Sequence, residues 1–84
     1  MTNHHEEILF HLNHTQLTGL GCLAFLAIRE KSTLKYQWKE WGFTDIPLET
    51  ILEFELDDTG LLELATAIAT YLLEDLTTYE KTIA

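Results

Sequence analysis

The chain has 84 residues, with 14 Asp and Glu against 5 Lys and Arg, and a net charge of −9. That length allows one domain, residues 1–84, with a core near the lower limit for independent folding, and a hydrophobic content of 46% argues against disorder. After Lys39 there are 11 acidic residues and only Lys81 to oppose them, so direct binding to nucleic-acid phosphates or to an anionic membrane surface is excluded as an expectation.

Residues 1–6 read as a polar tail. In residues 7–12, Ile8, Phe10 and Leu12 alternate with Leu9 and His11, which predicts a first strand. A short helix over HHEEILFHL is the competing reading. Asn13, His14 and Thr15 have the chemistry of a turn and a helix cap. A helix follows to about Lys31, with Leu17, Leu20, Leu23, Ala24, Ala27 and Ile28 available for burial. Gly19 and Gly21 weaken it by about 1 kcal/mol each relative to Ala, and their missing side chains let another element approach. The Ala65, Ala67 and Ala69 series is the natural neighbour.

Leu34, Tyr36 and Trp38 alternate with Lys35, Gln37 and Lys39, which predicts a second strand ending near Trp41. Residues 42–47 form a connecting loop, and Pro47 disfavours helix at Ile46. Thr50, Leu52, Phe54 and Leu56 alternate with Ile51, Glu53 and Glu55 as a third strand. At Asp57 and Asp58 the period changes, and either carboxylate is a good N-cap. Leu61, Leu64, Ala65, Ile68, Leu72, Leu76 and Tyr79 then recur at helical spacing. Residues 81–84 read as a second tail.

The predicted fold class is α+β in the order β-α-β-β-α. Strands one and two are parallel, strands two and three form a hairpin, and both helices cover one face of this mixed sheet. That face carries Phe10, Trp38, Leu52 and Phe54. On the other, Lys35 and Lys39 oppose Glu53 and Glu55. The alternative is an all-α fold in which Pro47 opens a short helix. Residues 8–27 and 52–71 also share a layout, with Phe10 over Phe54, Leu12 over Leu56, Leu17 over Leu61 and Leu20 over Leu64. Any two such units look alike, and a degenerate internal repeat is the sharper reading.

Chemical motifs are sparse. Gly19–Ala24, GLGCLA, matches a dinucleotide-binding pattern, with Glu40 as a ribose-binding acid, but it does not follow its strand directly. Close helix packing explains it better. His4, His5, His11 and His14 lie near Glu6 and Glu7, and imidazole with carboxylate suits zinc or nickel. His11 and His14 are the nearest approach to a metal pair, while solvated polar residues are the simpler reading. No cofactor is expected. Cys22, the single cysteine, lies in the most apolar stretch and is expected to be buried and inert. No hydrolase or phosphate-loop motif is present, and Glu53 and Glu55 beside lysines read as a surface ladder rather than an acid–base pair, so no enzyme is expected. Residues 42–51, GFTDIPLETI, resemble a helical segment common in helix-turn-helix regulators. The rest of that domain is absent and the charge opposes it, so no family follows.

Residues 17–28 are uncharged but far shorter than the roughly 20 needed to span a bilayer, and no basic leader precedes them. A cytoplasmic location is expected. The functional expectation is a non-catalytic acidic protein-binding module: an inhibitor, adaptor or regulatory subunit. It would engage a basic partner surface through Trp41, Phe43, Asp45, Glu49, Glu53, Glu55, Asp57 and Asp58, in one version as a mimic of nucleic acid. A homodimer is expected from the small core, the exposed strand edges and the aromatic pair Trp41 and Phe43. The alternative function is small-ligand or metal binding by the N-terminal histidines and the Gly19–Gly21 segment.

Overall fold

A computed structural model describes the backbone of residues 4–83 and the side chains of residues 5–76. The described residues form five helices and no strand: α1 (His4–Phe10), α2 (His14–Glu30), α3 (Leu34–Trp41), α4 (Leu48–Glu53) and α5 (Asp58–Ile83). The α+β sheet expected from alternation is therefore overturned in favour of the all-α alternative.

The two long helices are where the 3.6-residue period placed them. Asn13 opens α2 with a capping box: its Oδ1 accepts from the Gln16 N–H at 2.8 Å, and Gln16 Oε1 accepts from the Asn13 N–H at 3.0 Å. Lys31 closes the helix in the left-handed conformation, φ 52°, so that its own N–H and that of Ser32 reach the last-turn carbonyls. Asp57 opens α5 by accepting from the Gly60 N–H at 2.8 Å. Helix α2 packs most extensively on α5, then on α3, and α3 packs on α4. Leu20, Leu23, Ala24 and Ala27 meet Leu61, Leu64, Ala65 and Ile68 in one core, which Leu9, Leu34, Ile46, Ile51 and Phe54 complete. A Cβ on Gly21 would sit 3.4 Å from Ile68 Cγ2, so this glycine does face the last helix. Gly19 instead faces Phe43 and Ile46.

The three expected strands are all short helices, and the cause is local. Over eight residues Leu34 and Trp38 satisfy both a two-residue alternation and an i, i+4 helical pair. The helical register is the one that buries Leu34 and Gln37 and leaves Tyr36 outside. Capping chemistry selects it. Thr33 Oγ1 accepts from the Tyr36 N–H at 3.1 Å, and Gly42 ends α3 at φ 68°. In α4, Pro47 supplies a fixed φ of −65° before the first turn, and the Thr50 and Ile51 amides donate to its carbonyl. Ile51 and Phe54, three apart, then point inward, and Leu52 points out. In α1, Leu9 is buried and Phe10 is not.

The shared layout survives in altered form. Both halves are helix–turn–helix units, α1–α2 and α4–α5, each with an N-cap at the matching place, Asn13 and Asp57. Leu17 and Leu61, and Leu20 and Leu64, are buried in both. The correspondence fails at Phe10, which is 74% exposed where Phe54 is 0% exposed.

The sheet would have placed Phe10, Leu52 and Phe54 in one core layer; the helices separate them. Phe54→Ala is expected to cost about 3–5 kcal/mol in equilibrium unfolding. Phe10→Ala and Leu52→Ala are expected to cost about 0.5 kcal/mol or less. Equal losses at all three positions would contradict the helical packing.

Candidate functional site

The α3–α4 hairpin carries most of the charged and aromatic residues that composition singles out. Its geometry begins with Gln37, the one buried polar side chain among the described residues. Its Nε2 donates to Glu30 Oε2 at 2.9 Å and to Ser32 Oγ at 2.8 Å, and its Oε1 accepts from Trp41 Nε1 at 2.9 Å. Both donors and the acceptor are used, so the buried amide costs little and ties α3 to the end of α2. Trp38 is half-buried, with its Nε1 donating to the Ile46 carbonyl at 2.9 Å, which holds the turn into α4. Gln16 Nε2 donates to the Asp45 carbonyl at 2.8 Å, tying the same turn to the start of α2.

These contacts divide the eight residues expected to form one surface. Phe43 and Asp45 lie against α2. There they join Gly19, Cys22, Thr15 and Thr18 around a cleft of about 500 Å³, which His14 also borders. A Cβ at Gly19 would stand 3.0 Å from the Phe43 ring, so the missing side chain is what seats Phe43. Glu49 and Glu53 are exposed on α4. Glu55 is turned to the start of α3, where its Oε1 accepts from the Lys35 N–H at 2.7 Å. The expected pairing with Lys35 is thus made with the backbone, where a carboxylate complements the helix dipole. Asp57 is the α5 cap, and Asp58 is in the first turn of that helix. Trp41, 60% exposed, ends α3, and Glu55 sits at its beginning, so the helix length of about 12 Å separates them.

Three exposed residues were missing from the expected surface, and alternation hid one of them, Leu52. Leu48 and Leu52, four apart, are both exposed beside Glu49 and Glu53. Alternation placed Leu52 in the core; an i, i+4 reading from Pro47 would have exposed this stripe. Cys22, expected to be buried, is exposed on α2.

His5, His11 and His14 do not converge, and the side chain of His4 lies outside the described ones. His5 meets Phe54 at a tilt of 47° with ring centroids 4.7 Å apart, and His11 meets Phe10 edge-on at 5.6 Å. His14 Nδ1 lies 3.5 Å from Asp75 Oδ2, both side chains being more than half exposed. Among the described residues no group of three His, Cys, Asp or Glu side chains could hold a metal ion. No helix among them is long and apolar enough to cross a membrane. Comparison with protein-family models, with curated proteins and with solved structures finds no match.

The contrast between the capping Glu55 and the exposed Glu49 has a measurable consequence. Glu55→Ala is expected to destabilise by about 1 kcal/mol, by removing the acceptor at the start of α3. Glu49→Ala is expected to change stability by no more than about 0.5 kcal/mol. Urea denaturation of the two variants beside the parent protein checks the contrast, and equal effects would contradict the assignment.

Proposed function

We propose that the protein is a non-catalytic acidic binding module that engages a basic partner protein through the outward face of α4. The observation that carries this reading is the composition of that face. Leu48 and Leu52 form one exposed i, i+4 pair, and Glu49 and Glu53 form a second beside it. Leu48 and Leu52 leave apolar surface in water, and Glu49 in the first turn, with Glu53, puts negative charge at its edge. Both features become favourable against a partner that offers an apolar groove rimmed by Lys or Arg. The leucines supply buried contact, while the carboxylates steer the encounter and set its orientation.

The remaining acidic residues extend the same field. Asp57 and Asp58 lie at the start of α5, just past the short link from α4, and the net charge of −9 accelerates association with any basic surface. An inhibitor, an adaptor and a regulatory subunit all fit this chemistry. Mimicry of nucleic-acid phosphate in a basic groove is one form of it. The reading needs no catalysis and no cofactor. It places the module in the cytoplasm, where reducing conditions keep the exposed Cys22 thiol free.

Affinity capture from the native host, at low and then at high salt, tests the proposal. The partner is expected to be basic and to be released as salt rises. Glu49→Lys with Glu53→Lys is expected to abolish capture while the helical circular dichroism stays unchanged, and Leu48→Ser with Leu52→Ser to weaken it at least tenfold. Capture that ignores both pairs of substitutions would rule out α4 as the binding element.

A further inference from the structure

The outward side of α2 is an uncharged stripe on an acidic chain. Between His14 and Arg29 the helix contains no charged residue, on a chain of net charge −9. Thr15, Thr18, Cys22 and Phe25 are nevertheless exposed, Phe25 by 56%. At 100° per residue these four share one face with Arg29 and with half-buried Leu26. A solvent-facing helix ordinarily carries charge there. This face has a projecting phenyl ring at one end and, toward the other, the cleft walled by Thr18, Gly19, Cys22 and Phe43.

We propose that α2 is the interface of a homodimer, in which two copies of the helix cross antiparallel about a two-fold axis near Cys22. Electrostatics favours a second copy as the occupant. Two chains of net charge −9 repel, so they associate best where carboxylates are few: α2 carries none between His14 and Arg29, and Asp45, the acid at the edge of the cleft, has an Arg29 to meet across the contact. Self-complementarity also favours it, since an isologous contact must present both members of each pairing on one surface. An axis near Cys22 sets Phe25 opposite the partner's Thr18 and the partner's Gly19, at the cleft, and the reverse contact follows by symmetry. The same axis brings Arg29 to the level of the partner's Thr15 and the partner's Gln16. The Gln16 side chain holds the Asp45 carbonyl, so each Arg29 meets the partner's Asp45 at the rim. The arrangement is an apolar centre with a pair of opposite charges at each end. A single 17-residue helix offers an area at the small end of specific interfaces, so the equilibrium is sought over a wide concentration range.

Cys22 next to the axis provides the probe. Helices packed at about 8–10 Å bring facing Cα atoms within the roughly 4.4–6.8 Å that a disulfide spans. Treatment with diamide would oxidise one Cys22 thiol from each copy to a single disulfide, the two electrons and two protons passing to the diazene, which becomes the hydrazine. Sedimentation velocity from 1 to 200 µM, with non-reducing gels after diamide, tests the dimer. The expected results are a reversible monomer–dimer equilibrium and near-complete Cys22 cross-linking in the dimeric range. Phe25→Glu, an exposed change checked for helicity by circular dichroism, is expected to leave a monomer. Arg29→Asp and Asp45→Arg are each expected to weaken the dimer at least fivefold, and their combination to restore it to within threefold. A monomer throughout, a dimer that survives Phe25→Glu, or a dimer that cross-links no faster than denatured chains would overturn the proposal. A double variant no tighter than its single variants would overturn the antiparallel register.

Discussion

The contact between α2 and α5 is the constraint on which the rest of this molecule depends. It joins the two helices long enough to bring several turns of apolar side chain together, and they are distant in sequence. Leu20, Leu23, Ala24 and Ala27 on one meet Leu61, Leu64, Ala65 and Ile68 on the other, all nearly inaccessible to water. Helices of six to eight residues are unstable alone, because nucleation fixes several residues for each hydrogen bond gained. Helices α1, α3 and α4 therefore form because this pair offers them a surface. Leu9, Leu34, Ile51 and Phe54 are the side chains with which they take it.

That hierarchy determines where chemistry is available. The long helices spend their inward faces on each other. The hairpin α3–α4 is attached at a few points: the Gln37 amide with Glu30 and Ser32, the Trp38 indole with Ile46, Gln16 with Asp45, and Glu55 with the first turn of α3. Each side chain committed there is unavailable for recognition. Among the side chains that stay outward are Leu48, Glu49 and Leu52 of α4 and the stripe of α2 from Thr15 to Phe25, and the two differ in kind. A charged stripe suits a partner of opposite sign, and an uncharged face on an acidic chain suits a copy of itself. The proposed functions are thus two uses of the surface left over after a small core is built.

Much of the scaffold is legible in the residues, but at long range of pattern only. Helices α2 and α5 repeat the 3.6-residue period over several turns, and Asn13 and Asp57 mark their starts, so no strand pattern competes. The short elements lack that redundancy. In α3, Leu34 and Trp38 fit either period, and only the caps Thr33 and Gly42 tell them apart. In α4, Phe54 is buried as alternation requires, yet for a helical reason, since its companion is Ile51 and not Leu52. Alternation therefore turned Leu52 inward and concealed the apolar half of the candidate site. Cys22 shows a related failure. An apolar stretch of sequence was equated with burial, although a helix packed on one side must expose part of any stretch this long. The acidic residues were legible as a charge field. Their division into caps, such as Glu55 and Asp57, and outward groups, such as Glu49, depends on the hairpin's course.

Native-state hydrogen exchange, followed amide by amide, tests the central dependence most directly. If α2 and α5 form the unit on which the short helices rest, the amides of Leu23, Ala24 and Ala27 and those of Ala65 and Ile68 share one opening free energy, equal to that of global unfolding. The amides of α4 then open at a lower free energy while α2 and α5 stay closed. Slower exchange in α4 than in α2, or unequal maximal protection of α2 and α5, would contradict the account.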